Sequence, residues 1–425
     1  MIEKIKSALS ECGVSLWRIT ESQSQTAELY FIKKQLDIPR LKDLTVYVVE
    51  VFRDFEENGV KFRGSSNALL SPGMKNDEIV TAIKSAYFSA SFIRNKWFEL
   101  PAPVKAEHIA SDSDIASKDL KDVVKLVADG IFEIDTEVDA FLNSVEIFAS
   151  KISRRIIAST GLDVSFDKCT LKGELVAQCV TPKDVEQFRD FEYDSLNIKG
   201  LQQRALDAIR DVRARARSTE LPDSGSYSVL LKGEHIAEVL SYYTARSSAH
   251  MIYPGYSKWQ VGMNIQGAEV EKEKLSLTLL PADPYSSEGI PMPVRPLIRD
   301  GKLETIQGSA RFCYYLGVEP TGVYGKVSCE NGTVPLSELE GEGVLEPVSF
   351  SDFQMDIMDG HFKGEIRLAL LHHADGTVEE LSGGSINGCI TDAQGRLLFS
   401  TERYCDSSYD GPLAMLVPDV SVAGK

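Results

Sequence analysis

The sequence of 425 residues predicts an α+β protein with three consecutive domains. Helical and strand-like patterns alternate over the first half of the chain, strand-like segments dominate from about residue 259 onward, and Gly- and Pro-containing turns separate the segments. We therefore expect an N-terminal α/β domain over residues 1–110, a middle helix/strand domain over residues 111–221 and a β-rich C-terminal domain over residues 222–425.

The N-terminal domain is predicted from two apolar periodicities. Ile2, Ile5 and Leu9 have helical spacing, whereas residues 27–55 have strand character, with residues 45–52 (TVYVVEVF) as a buried strand. A turn at Ser71-Pro72-Gly73 precedes an amphipathic helix. One face of that helix would carry five apolar residues, which are Ile79, Ile83, Ala86, Ala90 and Ile93.

The middle domain is predicted to alternate helices and strands. Residues 119–132 and 138–150 are expected to be helices, and residues 153–161 and 169–180 strands. A further helix carries five arginines at helical spacing with Ala and Asp between them, which indicates a solvated helix face; they are Arg204, Arg210, Arg213, Arg215 and Arg217. The turn-forming segment 219–225 predicts the boundary to the last domain.

The C-terminal domain is predicted to begin with a strand over residues 226–233 and a helix over residues 234–245. Ile236, Val239, Leu240 and Tyr243 fit one face of this helix. The remaining segments are mostly strand-like, and Asp300-Gly301 and Asp375-Gly376 lie between such segments, as hairpin turns require.

Charge and composition narrow the class of function. The chain has 46 Lys and Arg against 63 Asp and Glu, a formal net charge of −17, so nucleic acid is not an expected partner. The seven cysteines form no C-x-x-C pair, which gives no sign of a zinc ribbon or a disulfide framework. No apolar run approaches the ~20 residues that span a bilayer, and we expect a cytoplasmic protein that does not associate with membranes.

Several segments resemble the TldD/PmbA family, the modulator of DNA gyrase family of zinc-dependent proteases. SEGIPMPVRPLIRDGKLET (residues 287–305) resembles the family segment D-E-G-x-P-x-x-x-x-x-L-I-x-x-G-x-L, GGSINGCI (residues 383–390) resembles a turn motif, and GPLAMLVPDVSVAG (residues 411–424) resembles the closing strand. The order and spacing of these segments are similar to the family pattern. The resemblance implies a TldD/PmbA-like fold whose β-rich C-terminal domain contains a long antiparallel sheet.

The family's active subunit carries H-E-x-x-x-H on a helix, and a distant cysteine completes its zinc site. The corresponding stretch of this sequence has Ser241, Tyr242 and Arg246 at the positions of His, Glu and His. An arginine would repel a metal cation, and neither hydroxyl is a usual zinc ligand. We therefore expect no cofactor, no metal and no catalytic residues, and a closer similarity to the PmbA (TldE) type, which lacks the histidine motif.

An active metallopeptidase with relocated ligands is the alternative, and His235, His250 and Cys405 are its candidate ligands. Fifteen residues separate the two histidines, roughly 22 Å along a straight helix, so they could share an ion only if the helix breaks near Ser247-Ser248. Cys405 lies near the position of the family's ligand cysteine, and a free thiol packed under a loop is the simpler interpretation.

The resemblance also implies partners and a substrate. We expect a divergent or non-catalytic subunit that binds peptides or unfolded proteins, as a homodimer or as a heterodimer with a metal-bearing, TldD-like subunit. Thr321, Gly322 and Tyr324 fall where the family has a segment bordering its active cleft, so they are predicted to contact substrate. A homodimeric peptide-binding scaffold remains a further alternative.

Overall fold

The computed structural model describes residues 1–221, 223–267 and 269–424. Pro222, at the predicted domain boundary, and Lys425 lie outside the described residues. Nine helices are present in the described part of the chain. They are α1 (Ile2–Glu11), α2 (Asn76–Ala90), α3 (Leu120–Glu133), α4 (Ile198–Arg217), α5 (Glu234–Arg246), α6 (Ala249–Ile252), α7 (Ala310–Leu316), α8 (Leu336–Leu339) and α9 (Ile390–Ala393).

Three sheets account for the strands, and the predicted α+β class is confirmed. Sheet 1 contains β1 (Leu16–Ile32), β2 (Gln35–Glu57), β3 (Val60–Leu70), β4 (Ala140–Ala158), β5 (Asp163–Cys179) and β6 (Val185–Tyr193). Sheets 2 and 3 are built from β7 (Thr219–Glu220), β8 (Gly225–Lys232), β9 (Leu277–Leu280), β10 (Arg295–Arg299), β11 (Lys302–Leu303), β12 (Lys326–Cys329), β13 (Leu345–Met355), β14 (His361–His372), β15 (Val378–Ser382), β16 (Ser385–Cys389), β17 (Leu398–Phe399), β18 (Arg403–Cys405), β19 (Tyr409–Pro412) and β20 (Ala414–Ala423).

Sheet 1 is antiparallel, and it contains strands from both the predicted N-terminal domain and the predicted middle domain. Its strand order is β3-β2-β1-β4-β5-β6, and β1 pairs with β4 from Arg18↔Ala158 to Ile32↔Ser144. Helices α1 and α2 pack over one end of the sheet and α3 and α4 over the other, which gives two separate apolar cores on a shared sheet. The division at residue 110 stays a prediction.

Most of the helices predicted from periodicity are present. In α2, Ile79, Ile83, Ala86 and Ala90 are buried, as their spacing predicted, whereas Ile93 lies beyond the helix and is exposed. The segment 45–52 is a strand of sheet 1, but it alternates between buried and exposed residues instead of being buried throughout. The helices cover only one face of the sheet in this region, which explains the alternation.

The helix predicted over residues 138–150 is wrong, because this segment begins strand β4. Ala140, Leu142, Val145, Ile147 and Ala149 are all fully buried, with a register shift between Leu142 and Ser144 that changes which alternate positions face the core. This shift obscured the two-residue period in the sequence. Pairing with β1 on one side and β5 on the other satisfies the backbone of the segment as a strand.

The predicted solvated face of α4 is only partly right, because the side chains of Arg210 and Arg217 are 67% and 55% exposed whereas those of Arg204 and Arg213 are 19% and 27% exposed. Arg213 pairs with Asp139 at 2.6 Å, Arg210 with Asp207 at 2.8 Å, and Arg217 with Glu380 of β15. Arg204 reaches Glu234 of α5 at 2.9 Å, and Arg215 donates to the carbonyl of Glu186 on β6. Arg204, Arg215 and Arg217 therefore connect α4 to α5, to β6 and to β15.

The C-terminal domain is β-rich, as predicted, and places α5 against two sheets. Sheet 2 has the order β11-β10-β9-β12-β19-β18. Sheet 3 has the order β13-β8-β20-β16-β14-β15-β7, and β13 also pairs with β14, which closes a ring of five strands. The apolar side chains of α5 belong to one large core to which strands of both sheets contribute.

Ion pairs connect sheet 1 to the loop before β10. The carboxylate of Asp283 lies 3.1 Å from Arg154 and 2.7 Å from Lys168, which project from β4 and β5. Tyr285, two residues later, packs against Phe166 of sheet 1. Among the helices that the structure describes, none is long and apolar enough to cross a membrane.

Candidate functional site

A cleft of about 250 Å³ runs beside the outer face of α5, and we call it the α5 cleft. Helix α5 begins after Gly233, whose φ of 55° favours glycine, and its apolar face is buried in the shared core. The opposite face forms one wall of the cleft. The lining residues are Glu234, Ala237, Glu238, Ser241 and Thr244 from α5 and Tyr324, Gly325, Lys326, Val327 and Ser408 from the opposite wall.

The three residues predicted to lie at the positions of the family's metal motif do not share one environment. Ser241 lines the α5 cleft, whereas Tyr242 and Arg246 do not. The Tyr242 ring is buried against Trp259, and burial raises the pKa of its phenol. Arg246 donates to the carbonyls of Tyr256 at 2.6 Å and Met358 at 3.3 Å. A guanidinium and a packed tyrosine therefore occupy positions that would carry a ligand and a general base.

These residues do not fit a zinc ion. Zinc in proteins is bound by thiolate, neutral imidazole or carboxylate groups. The side chains at the three positions offer a hydroxyl, a phenol with a raised pKa and a guanidinium. Even with the carboxylates of Glu234 and Glu238 beside the cleft, no set of three ligand atoms comes together there in the described part of the chain.

Cys405 lies beside the α5 cleft, next to a lysine. Its Sγ is 3.7 Å from the Nζ of Lys326, which also donates to the carbonyl of Asp406 at 2.6 Å. Cys405 is exposed on the edge strand β18, so it is not a thiol packed under a loop. The ammonium group of Lys326 thus lies where a thiolate-bound cation would have to approach.

The structure does not bring His235, His250 and Cys405 together. The ring of His235 packs edge-on against Phe350 at 4.9 Å and Phe353 at 5.4 Å, and burial lowers its pKa to about 4. His250 lies on α6 against Phe312 at 4.7 Å. The helix does break between Arg246 and Ala249, yet the two imidazoles contact different aromatic groups. No metal-ligand group found among the described residues contains any of the three.

The residues predicted to contact substrate lie at two depths. Thr321 is buried, and its hydroxyl accepts from the Gly308 N–H at 3.0 Å and donates to the Gly322 carbonyl at 2.8 Å. Gly322 has a φ of 77°, and an added Cβ would lie 3.0 Å from the Met292 sulfur. Tyr324 lines the α5 cleft, and its hydroxyl donates to the Pro293 carbonyl at 2.7 Å. Only Tyr324 therefore lies at the cleft itself.

One buried polar cluster was missed by sequence reasoning. Glu340, Glu346 and His372 offer ligand atoms within 4.8 Å of one another. The ammonium group of Lys232 lies between the two carboxylates, 2.7 Å from Glu340 and 2.9 Å from Glu346, so a lysine already supplies the positive charge. The only signal in the sequence was charged residues within strand-like segments, which gives no pairing.

Comparison with known proteins supports the fold and the family resemblance. Residues 224–424 match the family described as the PmbA/TldA metallopeptidase C-terminal domain. The chain is similar to the crystal structure of TldE from Thermococcus kodakarensis, with 17% identity and a TM-score of 0.79 over 99% of this chain and 100% of that one. No curated protein matches the sequence.

Two further solved structures have the same fold. Each is described as a proposed modulator of DNA gyrase, one from Thermotoga maritima and one from Bacteroides thetaiotaomicron. Both are 16% identical to this chain with a TM-score of 0.76; the first match covers 100% of both chains, and the second covers 100% of this chain and 99% of that one. The predicted TldD/PmbA-like fold is confirmed along the whole chain.

Proposed function

We propose that this chain is a divergent, non-catalytic subunit of the TldD/PmbA family that binds extended peptides in the α5 cleft, and the match of residues 224–424 to the family's C-terminal domain supports this. A metal-bearing homologue would assemble with it and carry out hydrolysis. The observation that carries this proposal is the replacement of ligand chemistry around the cleft by a serine, a buried tyrosine and two cations, Arg246 and Lys326.

Electrostatics argues against metal-dependent hydrolysis by this subunit. Such hydrolysis needs an ion with an open position for water and a nearby base. At an effective dielectric constant of 20, two unit charges 4 Å apart interact by about 4 kcal/mol, and a divalent ion beside Lys326 would be repelled more strongly. Cys405, the one family-like ligand, is next to that ammonium group.

The α5 cleft supports peptide binding by its shape and its mixture of polar groups. Ser241, Thr244 and Ser408 supply hydroxyl groups, Glu238 supplies a carboxylate and Lys326 an ammonium group. Main-chain amides of an extended peptide can donate to and accept from such groups. The ring of Tyr324 provides an apolar surface beside them.

Peptide affinity and metal content test this proposal together. Neutral fluorescent peptides of six to eight residues should bind the purified chain, and Ser241→Trp should abolish binding because indole would fill the cleft. Ser71→Trp, in an exposed turn of the N-terminal domain, is the matched control and should bind as the unmodified chain does. Peptide binding that survives Ser241→Trp contradicts the assignment of the cleft.

The absence of catalysis and the partner have separate tests. The chain alone should not cleave casein or peptides, and elemental analysis should find no stoichiometric zinc. About one zinc per chain that is lost in Cys405→Ala would overturn the non-catalytic assignment. Co-expression with a metal-bearing TldD-like homologue should give a heteromeric peak in size-exclusion chromatography with light scattering; a 46.9 kDa monomer with and without the homologue contradicts pairing.

A further inference from the structure

A second groove adjoins the α5 cleft, and we call it the arginine groove. It has a volume of about 410 Å³ and lies between the outer edge of β6, the end of α4 and residues 350–353 of β13. Glu234 lines both the α5 cleft and the arginine groove, so the two meet at the start of α5. A ligand in one can therefore extend into the other.

Two guanidinium groups face the arginine groove without a carboxylate partner. Arg215 of α4 donates only to the Glu186 carbonyl, and Arg367 of β14 has no hydrogen bond or ion pair within the described residues. Both side chains line the same groove, and burial together with the positive charge of Arg367 lowers the pKa of Arg215. Two guanidinium groups that lack a carboxylate partner repel each other, and a ligand carboxylate that contacts both would offset this repulsion.

Arg189 and four carboxylates also line the groove. Arg189 pairs with Asp211 at 3.1 Å, and Asp190 and Glu234 both pair with Arg204, at 3.3 and 2.9 Å. Glu186 and Asp352 are exposed and accept from the neutral amides of Asn143 and Gln354. Among the described residues, Glu186 and Asp352 therefore keep negative charge in the groove without a cationic partner, and Arg215 and Arg367 are its cations without a carboxylate partner.

Aromatic rings line the groove beside these guanidinium groups. Phe350 and Phe353 stack at 4.6 Å, and the imidazole of His235 packs edge-on against both. Phe188 of β6 is 52% exposed and belongs to the same groove. No described residue forms a hydrogen bond with the ring nitrogens of His235, so they can bind a ligand's polar atoms.

We propose that the arginine groove binds a carboxylate of the peptide held in the α5 cleft, with Arg215 and Arg367 contacting the carboxylate and the phenyl rings contacting an adjacent apolar side chain. This assignment rests on the proposed peptide-binding function and names its substrate class. Guanidinium groups suit it because their planar donors match both oxygens of a carboxylate.

The spacing of the two grooves fits a short extended peptide. His235 and Ser241 are six residues apart on α5, which corresponds to about 9 Å along the helix. An extended chain rises about 3.3 Å per residue, so roughly three peptide residues span the interval. The carboxylate can come from the peptide's C-terminus or from an Asp or Glu side chain, and the two sources are distinguishable by experiment.

Three matched hexapeptides without other charges test the proposal on the full chain by fluorescence anisotropy. One has a free C-terminal carboxylate, one is amidated and neutral, and one is amidated with a single internal Glu. We expect at least one carboxylate peptide to bind about tenfold more tightly than the neutral one, as for a charge-assisted hydrogen bond. Arg367→Gln should remove this difference between the carboxylate peptides and the neutral peptide.

Arg299→Gln is the matched control, because Arg299 is an exposed arginine of β10 outside the arginine groove. It should preserve the preference for the carboxylate peptide. Equal affinity for all three peptides, with Ser241→Trp still abolishing binding, overturns the carboxylate assignment and leaves peptide binding intact. Failure of all three peptides to bind refutes the proposed function and this inference with it.

Discussion

Replacing Lys232 with methionine tests how much one half-buried cation contributes to the C-terminal domain. Lys232 ends β8, and its ammonium group lies between Glu340 and Glu346 at 2.7 and 2.9 Å. Glu346 is buried and also bonds the Nε2 of His372 at 2.9 Å. Methionine keeps the length of the side chain and removes the charge, so the carboxylate of Glu346 loses its cationic partner.

The expected loss of stability follows from burial. Breaking a fully buried ion pair costs about 3–5 kcal/mol, because the remaining charge stays desolvated. Lys232 retains 25% exposure and Glu340 29%, so solvent screens part of this interaction. We expect Lys232→Met to lower the free energy of unfolding by about 2–3 kcal/mol, which lowers the melting temperature of a domain of this size by about 4–12 °C.

The pH dependence gives an independent signature. Burial raises the pKa of Glu346, but the hydrogen bond from His372 and the charge of Lys232 outweigh burial, so its pKa lies below the usual value. The ionised carboxylate of Glu346 therefore stabilises the folded state fully above about pH 4.3, and this stabilisation is lost as the pH falls through the folded-state pKa of Glu346. Without Lys232 that pKa rises, and the loss of stability on acidification should begin at a higher pH.

Thermal unfolding followed by circular dichroism between pH 4 and pH 8 measures both effects. Lys363→Met, which removes an exposed lysine from strand β14 of the same sheet, is the control and should change the melting temperature by less than about 2 °C. A Lys232→Met protein that melts within 2 °C of the unmodified chain, with an unchanged pH profile, would refute this reasoning.

Four other outcomes are expected. Lys232→Ala should create zinc affinity at the surrounding Glu and His side chains, which calorimetry would detect; no zinc binding contradicts this. The pKa of His235 is lowered to about 4, so stability should fall by roughly 3 kcal/mol between pH 6.5 and pH 4, and His235→Phe should flatten this dependence in thermal melts. Gly322→Ala should destabilise by about 1–3 kcal/mol, because its φ is positive and its Cβ would press on Met292; unchanged stability would contradict a structural role. Asp283→Asn should cost about 1–2 kcal/mol, less in high salt, because two cations lose their carboxylate.

Sequence periodicity predicted most of the helices, because the buried face of a helix is visible as apolar residues at helical spacing within one short segment. The buried face of α5 (Ile236, Val239, Leu240 and Tyr243) follows directly from the 3.6-residue period. The hairpin turn at Asp300-Gly301 was also readable, since both residues adopt the positive φ that this dipeptide favours. Strand β4 was not readable as a strand, because the register shift obscures its alternation.

The absence of an H-E-x-x-x-H segment could be read from the sequence alone. Metal binding depends first on which side chains are present, and Ser241, Tyr242 and Arg246 cannot replace two histidines and a glutamate wherever they lie. The sequence could not show whether His235 and His250, the candidate ligands of a relocated metal site, lie close enough to bind one ion. Their different aromatic surroundings became apparent only from the packing of α5 and α6.

Tertiary structure alone decided which charged groups meet. Lys326 and Cys405 are 79 residues apart in sequence, and Arg215 and Arg367 lie on a helix and a strand of different parts of the chain. Sheet 1 likewise joins β1 to β4 across more than a hundred residues. A sequence pattern indicates which side chains of a segment are buried, but it does not show which other segment pairs with it. Pairing depends on strand order and register, and these are set by the packing of the whole domain.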